Sequence, residues 1–339
     1  MSENSKIEWT DHTFNPWEGC QKVGPGCDHC YAETRNARFS GGTAINWGPG
    51  APRRRTSAAN WRKPLQWNKA HAEFYAQHGR RQRVFCASLA DVFDNAVDPA
   101  WRADLFDLIE KTPNLDWLLL TKRIGNVLTM LSETAARRFD LECLHDPRLP
   151  GNVWLGATIV NQAEADRDIP KLLRVPARVR FLSMEPLLGP VDLTLVRGQF
   201  WALTQSMNVL TGKACPSLSG IAPEAALDWV IVGGESGHGA RPMNPRWVRS
   251  LRDQCYAVNV NFLFKQWGEW MPADADDCDP VIDSRRLMWS DGVPYSEQDG
   301  QRAAALMAHV GKKAAGRMLD GRTHDAFPAN ADLFLGWQL

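Results

Sequence analysis

The feature that most constrains the fold of this 339-residue chain is a series of short apolar runs that recur along its length. Runs that are apolar throughout are typical of parallel strands buried on both faces, and right-handed crossovers curl such strands into a barrel. The sequence therefore predicts an α/β fold built on a parallel (β/α) barrel, full or partial. The seven predicted strands cover 7–14, 84–89, 117–121, 153–158, 179–184, 229–234 and 261–265. The helical spacing of apolar residues between them predicts helices over 30–39, 99–111, 124–139, 161–173 and 245–258.

The strand pattern covers residues 1–270, which we interpret as the barrel domain. Two segments interrupt the strand pattern and are predicted to be loop insertions, 40–83 and 192–227. The first is long and begins with many Gly and Pro residues, as is typical of such loops. After Trp270 the pattern gives way to an acidic loop and then a helical stretch from Arg302. We expect 271–339 to form a C-terminal extension that packs on the barrel.

Three of the eight cysteines lie together near the start of the chain, with the spacing C-x6-C-x2-C: Cys20, Cys27 and Cys30. Gly24, Pro25 and Gly26 lie between the first two, and such residues allow a loop to fold back so that its sulfurs meet. Three thiolates leave one coordination position open on a metal centre, which favours an iron–sulfur cluster. A zinc site that adds His29 as fourth ligand, or thiols without a shared role, are the alternatives.

The strand, the three-cysteine loop, the aromatic Tyr31 beside the last cysteine and the helix that follows resemble the radical S-adenosylmethionine enzymes. More narrowly, the chain resembles an uncharacterised bacterial and phage family usually placed beside that superfamily, and more distantly the spore photoproduct lyases. The resemblance implies a TIM-type barrel, a [4Fe-4S] cluster on Cys20, Cys27 and Cys30, S-adenosylmethionine on the open iron and an electron donor. The superfamily usually has three residues between its first two cysteines, whereas this chain has six.

Polar residues follow six successive predicted strands, and a barrel places the carboxyl ends of its strands around one site. A single polar residue there is usually a helix cap, as expected for Asn161 and as an alternative for Asp91. The sequence predicts catalytic roles for Glu185, Lys122 and Lys265. It predicts cofactor contacts for Ser88, Asp91, Thr158, Gly233, Gly234, Glu235 and Ser236.

The run Gly233-Gly234-Glu235-Ser236 suggests close contact with a ligand. Paired glycines let a backbone approach a bound molecule, and Glu235 offers an acceptor for an ammonium or a ribose hydroxyl. We therefore expect ligand contact at the end of the sixth strand.

Segment 40–83 carries basic residues interleaved with tryptophans, which could follow a phosphate backbone and stack on bases. The candidates are Arg53, Arg54, Arg55, Trp61, Arg62 and Trp67. The alternative is a solvent-exposed surface loop that is held to the barrel by its tryptophans. Because 39 basic residues balance 39 acidic ones, any affinity for nucleic acid must come from such local clusters.

The chain begins without a signal-like segment and has no long apolar run, so we expect a cytoplasmic protein without a membrane partner. Cys86, Cys143, Cys215, Cys255 and Cys278 show no paired pattern, as expected of reduced thiols.

The resulting hypothesis is a [4Fe-4S] enzyme of radical S-adenosylmethionine type that acts on DNA or RNA, by lyase-like lesion repair or base modification. The alternatives are a zinc-containing nucleic-acid-binding protein, and a cluster enzyme that repairs or transfers electrons without S-adenosylmethionine.

Overall fold

A seven-stranded parallel sheet forms the centre of the computed structural model, which describes residues 4–139, 147–200, 206–215, 225–273, 287–289 and 305–329. The described strands are β1 (His12–Thr13), β2 (Trp17–Glu18), β3 (Arg54–Arg55), β4 (Gln82–Cys86), β5 (Leu115–Thr121), β6 (Val153–Thr158), β7 (Val179–Met184), β8 (Val196–Arg197), β9 (Ser206–Asn208), β10 (Lys213–Ala214), β11 (Trp229–Gly233), β12 (Asn261–Gln266), β13 (Trp270–Pro272), β14 (Leu287–Trp289) and β15 (Leu306–His309). The central sheet has the order β1-β4-β5-β6-β7-β11-β12. All seven predicted strands are present in it.

The central sheet is a half-barrel, because β1 and β12 are its two edges and do not pair with each other. The prediction of a parallel α/β array is therefore confirmed in its partial form, and a closed barrel is not formed. The parallel order still brings the carboxyl ends of seven strands to one edge. That edge is where ligand sites are built in folds of this kind.

The described helices are α1 (Tyr31–Phe39), α2 (Ala58–Trp61), α3 (Lys63–Lys69), α4 (His71–His78), α5 (Pro99–Glu110), α6 (Val127–Phe139), α7 (Gln162–Arg174), α8 (Pro245–Tyr256) and α9 (Lys312–Ala315). Asn161 caps α7 by accepting a hydrogen bond from the backbone N–H of Glu164 at 2.9 Å, as its position predicted. The five predicted helices are present with ends shifted by only a few residues. In the part of the chain that the structure describes, no helix is long and apolar enough to cross a membrane.

The two faces of the sheet carry separate apolar clusters. One face packs against the helices, with residues such as Leu119 and Leu155 next to Phe106 of α5. The other carries aromatic residues, among them Trp154 and Phe181. Side chains alternate between the faces because successive residues of a strand point in opposite directions.

Segment 40–83 is more regular than predicted, since it contains β3 and three short helices, α2, α3 and α4. Ser57 caps α2 and Pro64 lies in the first turn of α3, where proline is tolerated. Trp67 stacks on His12 of β1 with ring centroids 4.2 Å apart. The helices are thus fixed to the sheet by an aromatic contact that the sequence pattern does not reveal.

Two three-stranded antiparallel sheets accompany the half-barrel in the described part of the chain, together with the two-stranded sheet of β2 and β3. One, in the order β10-β9-β8, lies within the predicted insertion 192–227, and the other, in the order β13-β15-β14, follows the last strand of the half-barrel. The predicted helical stretch from Arg302 is wrong over Leu306–His309, which forms the middle strand of the second sheet. Its residues 306–308 are buried there, so strand pairing overrides the helical propensity of the Ala-rich sequence. The acidic loop predicted after Trp270 lies outside the described residues.

Gly156 provides a test of the packing inside the half-barrel. A Cβ at this position would lie 2.3 Å from the Phe181 ring, which is fully buried against Trp9 and Trp229 and cannot move freely. We expect Gly156→Ala to lower the free energy of unfolding by about 1–3 kcal/mol, the usual cost of overpacking a core. Urea denaturation followed by circular dichroism measures the change.

The matched control is Gly151→Ala, because a Cβ at Gly151 has no neighbour within 4 Å. It should leave the midpoint of denaturation almost unchanged. Equal midpoints for the two variants would show that the aromatic face is packed less tightly than described.

Candidate functional site

A cavity of about 790 Å³ opens at the carboxyl edge of the half-barrel. It is lined by the cysteine loop and by residues that follow several different strands. Pockets of this size accommodate drug-sized ligands. Of the predicted cofactor and catalytic residues, the cavity brings together Ser88, Asp91, Lys122, Thr158, Glu185, Gly234, Glu235, Ser236 and Lys265, whereas Gly233 lies behind them.

All three cysteines of the N-terminal loop line this cavity. Cys27 ends a 3-10 turn and is buried, whereas Cys20 and Cys30 are half-buried, the latter directly before α1. Gly26 lets the loop lie close to the sheet, since a Cβ there would be 2.7 Å from Val160 Cγ1. The loop therefore delivers three sulfurs to the edge where the polar strand ends meet.

Glu235 and Arg241 attach the cysteine loop to the sheet. The Arg241 guanidinium donates to Glu235 Oε1 at 2.7 Å and Oε2 at 2.8 Å, and also to Pro25 O at 2.9 Å and Asp28 Oδ2 at 3.0 Å. His29 Nδ1 lies 3.1 Å from Glu235 Oε2. We call these five residues the loop clamp.

Burial by itself would raise the pKa of the Glu235 carboxyl, but hydrogen bonds from Arg241 and His29 outweigh it and the pKa is lowered. Glu235 is therefore a charged group whose two oxygens are both occupied by the protein. Its side chain, only 5% exposed, positions the cysteine loop. Ligand contact by Glu235, which also lines the cavity, stays a prediction.

Arg123 makes a second connection to the loop. Its guanidinium donates to Cys20 Sγ at 3.5 Å, to Gln21 O at 2.9 Å and to Asp91 Oδ2 at 3.1 Å. Asp91 also accepts hydrogen bonds from Thr121 Oγ1 and from the backbone N–H of Phe93. Asp91 therefore supports the loop with both carboxylate oxygens, and its contact with a cofactor stays a prediction.

The contact between Arg123 and Cys20 affects the sulfur. Burial raises the pKa of the Cys20 thiol to about 11, and the neighbouring guanidinium acts in the opposite direction. A cation beside a buried thiol favours the state in which the sulfur carries negative charge, which is the state that binds metals. The sequence contains Arg123 at a strand end but gives no sign that it reaches back to a cysteine 103 residues earlier.

Glu185 and Lys265 form an ion pair inside the cavity, with Lys265 Nζ 2.9 Å from Glu185 Oε1. Ser183 Oγ lies 3.3 Å from the other carboxylate oxygen. The two side chains are only 14% and 18% exposed, so the pair is shielded from bulk water. Both residues thus lie at one site, at the edge where the strand ends meet.

The paired glycines make room for neighbouring parts of the protein. A Cβ on Gly233 would lie 2.4 Å from Glu185 Oε1, and one on Gly234 would lie 1.8 Å from the backbone oxygen of Trp267. The predicted ligand contact of these glycines stays a prediction, and of the two only Gly234 lines the cavity. They are needed because Glu185 and the chain after β12 pass directly against β11.

Two polar groups of the cavity remain open toward a ligand. Lys122 Nζ donates to Thr158 Oγ1 at 3.3 Å. Gln266 Nε2 donates to Ser236 Oγ at 2.9 Å, whereas Gln266 Oε1 is buried and has no hydrogen-bond partner among the residues that the structure describes. Ser88 Oγ, by contrast, exchanges hydrogen bonds with the Asn15 side chain.

The predicted nucleic-acid residues separate into buried and exposed groups. Arg53 is buried and donates to Asp94 Oδ2 at 2.8 Å, and Trp67 is buried against His12, so these two cannot reach a nucleic acid. The half-buried Trp61 packs on Phe14. The exposed members are Arg54, Arg55 and Arg62, of which Arg54 pairs with Glu18 and Arg55 pairs with Asp104 and lies over the Trp61 ring.

A single-ion site is not formed by the described side chains. They contain no group of three or more His, Cys, Asp or Glu residues that could hold a metal ion as placed. His29, the alternative zinc ligand, directs Nδ1 to Glu235 and places Nε2 beside Gly239. The arrangement therefore gives no support to a Cys3His zinc site.

The loop clamp generates a prediction about the cysteines. Glu235→Gln keeps the size of the side chain but removes the charge that Arg241 and His29 bind. Losing one charged hydrogen bond costs about 1–3 kcal/mol, so we expect Cys27 in metal-free protein to react with iodoacetamide about tenfold faster. Mass spectrometry of the labelled peptide measures the rate for Cys27 alone.

Asp320→Asn is the matched control, because Asp320 also pairs with two arginines, Arg249 and Arg252, but on the exposed face of α8. It should leave the labelling of Cys27 unchanged. If Glu235→Gln labelled no faster than this control, the clamp would not be what holds the loop.

Comparisons with known proteins identify the family of the chain. A search of curated proteins finds no match, and neither does a search of solved structures. A family model described as "Protein of unknown function (DUF5131)" matches residues 4–328, and the chain therefore belongs to the DUF5131 family.

Proposed function

We propose that this protein is an iron–sulfur enzyme of radical S-adenosylmethionine type, with a [4Fe-4S] cluster held by Cys20, Cys27 and Cys30. The observation that carries the proposal is that all three thiols line one cavity at the carboxyl edge of a parallel half-barrel. Thiolates are the usual ligands of such clusters, and three of them leave one iron available to a ligand.

The surroundings of the loop fit a cluster. Arg123 places positive charge beside Cys20, and the loop clamp holds the segment 25–29 against the sheet. Three thiols of one short loop that reach the same cavity are suited to hold such a cluster.

A bound cluster of this kind supplies one-electron chemistry and an iron that can take up S-adenosylmethionine. The chain's own residues supply the other functions of the site. Arg123 and Arg241 position the loop, the strands behind the cavity exclude water, and the Glu185–Lys265 pair is placed to hold or move a proton. An external electron donor would have to reduce the site.

Metal and sulfide content, cofactor binding and colour distinguish the proposed enzyme from two alternatives. A cluster enzyme that works without S-adenosylmethionine would contain iron and sulfide but would not bind that cofactor. A zinc-containing nucleic-acid-binding protein would be colourless and would contain zinc in place of iron and sulfide.

Replacing the cysteines tests the ligand set. Cys20→Ala, Cys27→Ala and Cys30→Ala should each abolish cluster loading, because three cysteines are the fewest that leave a single open iron. Iron and sulfide analysis of protein reconstituted without oxygen measures the loss. The control is Cys215→Ala, since Cys215 is a half-buried free thiol beyond the half-barrel strand β7. Full iron content in Cys27→Ala would contradict the ligand assignment.

We further propose nucleic acid as the substrate, on the basis of the three exposed arginines of 54–62. Strand β3, which holds Arg54 and Arg55, pairs with β2, and β2 ends two residues before Cys20. A basic surface thus adjoins the cysteine loop. A strand that binds there would lie next to the entrance of the cavity.

If these arginines bind phosphates, affinity for a labelled single strand should fall as salt rises. The expected log–log slope is about −0.7 for each phosphate contact. In the triple variant Arg54/Arg55/Arg62→Ala the slope should become shallower and the binding weaker, as measured by fluorescence anisotropy. The control, Arg246/Arg249/Arg252→Ala, removes the same charge from α8 and should keep the wild-type slope. Identical binding by both variants, or none by the wild type, would remove nucleic acid from the proposal.

A further inference from the structure

We infer that the ligand of the cavity carries an anionic group, a phosphate or a carboxylate, and that Lys122 binds it. This inference rests on the proposal that the cavity is the active site. It starts from the charges of the lining residues, which comprise seven lysines and arginines but only four acids, Glu8, Asp91, Glu185 and Glu235.

Three of these acids are already neutralised within the protein. Asp91 pairs with Arg123 at 3.1 Å, Glu185 with Lys265 at 2.9 Å, and Glu235 with Arg241 at 2.7 Å. The fourth, Glu8, is exposed to solvent. Among the described acids that line the cavity, none of the enclosed ones is left without a basic partner.

Lys122 is a further cation of this lining. It is half-buried, and Thr158 Oγ1 is the acceptor of its ammonium, at 3.3 Å. Among the residues that the structure describes, no carboxylate lies within 4.0 Å of its nitrogen. The Glu164 carboxylate acts on Lys122 electrostatically but forms no ion pair with it. An anion from outside the chain would give this partly desolvated ammonium a direct partner.

The other basic residues of the lining do not compete for this role. Lys22 and Arg35 are exposed and pair with Glu33 and Glu18. Lys6 and Lys312 are exposed, so water solvates their charges. Lys122 is thus the cation that a bound anion would reach inside the cavity.

Gln266 supplies a second and independent indication of a ligand. It lines the same cavity and is 6% exposed, and its Oε1 has no hydrogen-bond partner among the described residues. A buried acceptor without a donor costs about 1–3 kcal/mol. A ligand that carries an N–H or O–H group beside its anionic group would satisfy both Gln266 and Lys122.

Matched ligand pairs test the anion directly on the full-length protein, both with and without reconstituted metal. Deoxyadenosine monophosphate is compared with deoxyadenosine, and methionine with its methyl ester, by isothermal titration calorimetry. The anionic member of at least one pair should bind about tenfold more tightly than its neutral-group counterpart. The pair that shows this preference tells whether the anion is a phosphate or a carboxylate.

Lys122→Met should abolish the preference for the anionic member, whereas Lys312→Met, which removes the same charge from an exposed position of the lining, should retain it. Gln266→Leu should weaken both members of the preferred pair equally. Lack of preference in the wild type for both pairs, or a preference that survives in Lys122→Met, would overturn the inference. Because binding is measured with and without the metal, these outcomes are distinct from a failure of Cys20, Cys27 and Cys30 to bind iron.

Discussion

The ion pair between Glu235 and Arg241 is the interaction on which the candidate site depends. Arg241 joins the end of β11 to Asp28, which lies 213 residues earlier in the chain. Without this connection the loop that contains Cys20, Cys27 and Cys30 would be joined to the sheet through Arg123 and through contacts at its two ends, Gly19 with Leu89 and Tyr31 with Ser88. Because Glu235 is buried, removing its partner would leave an uncompensated charge, so the two residues act as one unit.

The charged residues at the strand ends divide into two kinds. Asp91 and Glu235 have both carboxylate oxygens occupied and hold the cysteine loop through Arg123 and Arg241. Glu185, Lys265 and Lys122 face the cavity and are left for chemistry or binding. The run Gly233-Gly234-Glu235, for which the sequence predicts ligand contact, thus also supports the cysteine loop through Glu235.

The sequence predicts the strands of the half-barrel well, because strands buried on both faces leave an apolar run that needs no tertiary information. It also predicts that Lys122, Glu185 and Lys265 meet, because parallel strands bring their ends to one edge. The apolar runs do not predict whether the sheet closes into a full barrel, since closure depends on whether β1 and β12 pair.

Other features depend on contacts between distant residues and leave no local pattern. The burial of Arg53 depends on Asp94, 41 residues away, and that of Trp67 on His12. The strand at Leu306–His309 exists because two other strands pair with it. Arg241, six residues after Glu235, has no recognisable motif, and only the folded structure shows that it reaches the cysteine loop.

The most direct test of the central claim is electron paramagnetic resonance of the full-length protein, reconstituted and reduced without oxygen, before and after addition of S-adenosylmethionine. The account predicts about four irons and four sulfides per chain and the signal of a reduced [4Fe-4S] cluster. It also predicts that the signal changes shape when the cofactor occupies the open iron. A protein that binds zinc in place of a cluster, or a cluster whose signal S-adenosylmethionine leaves unaltered, would contradict it.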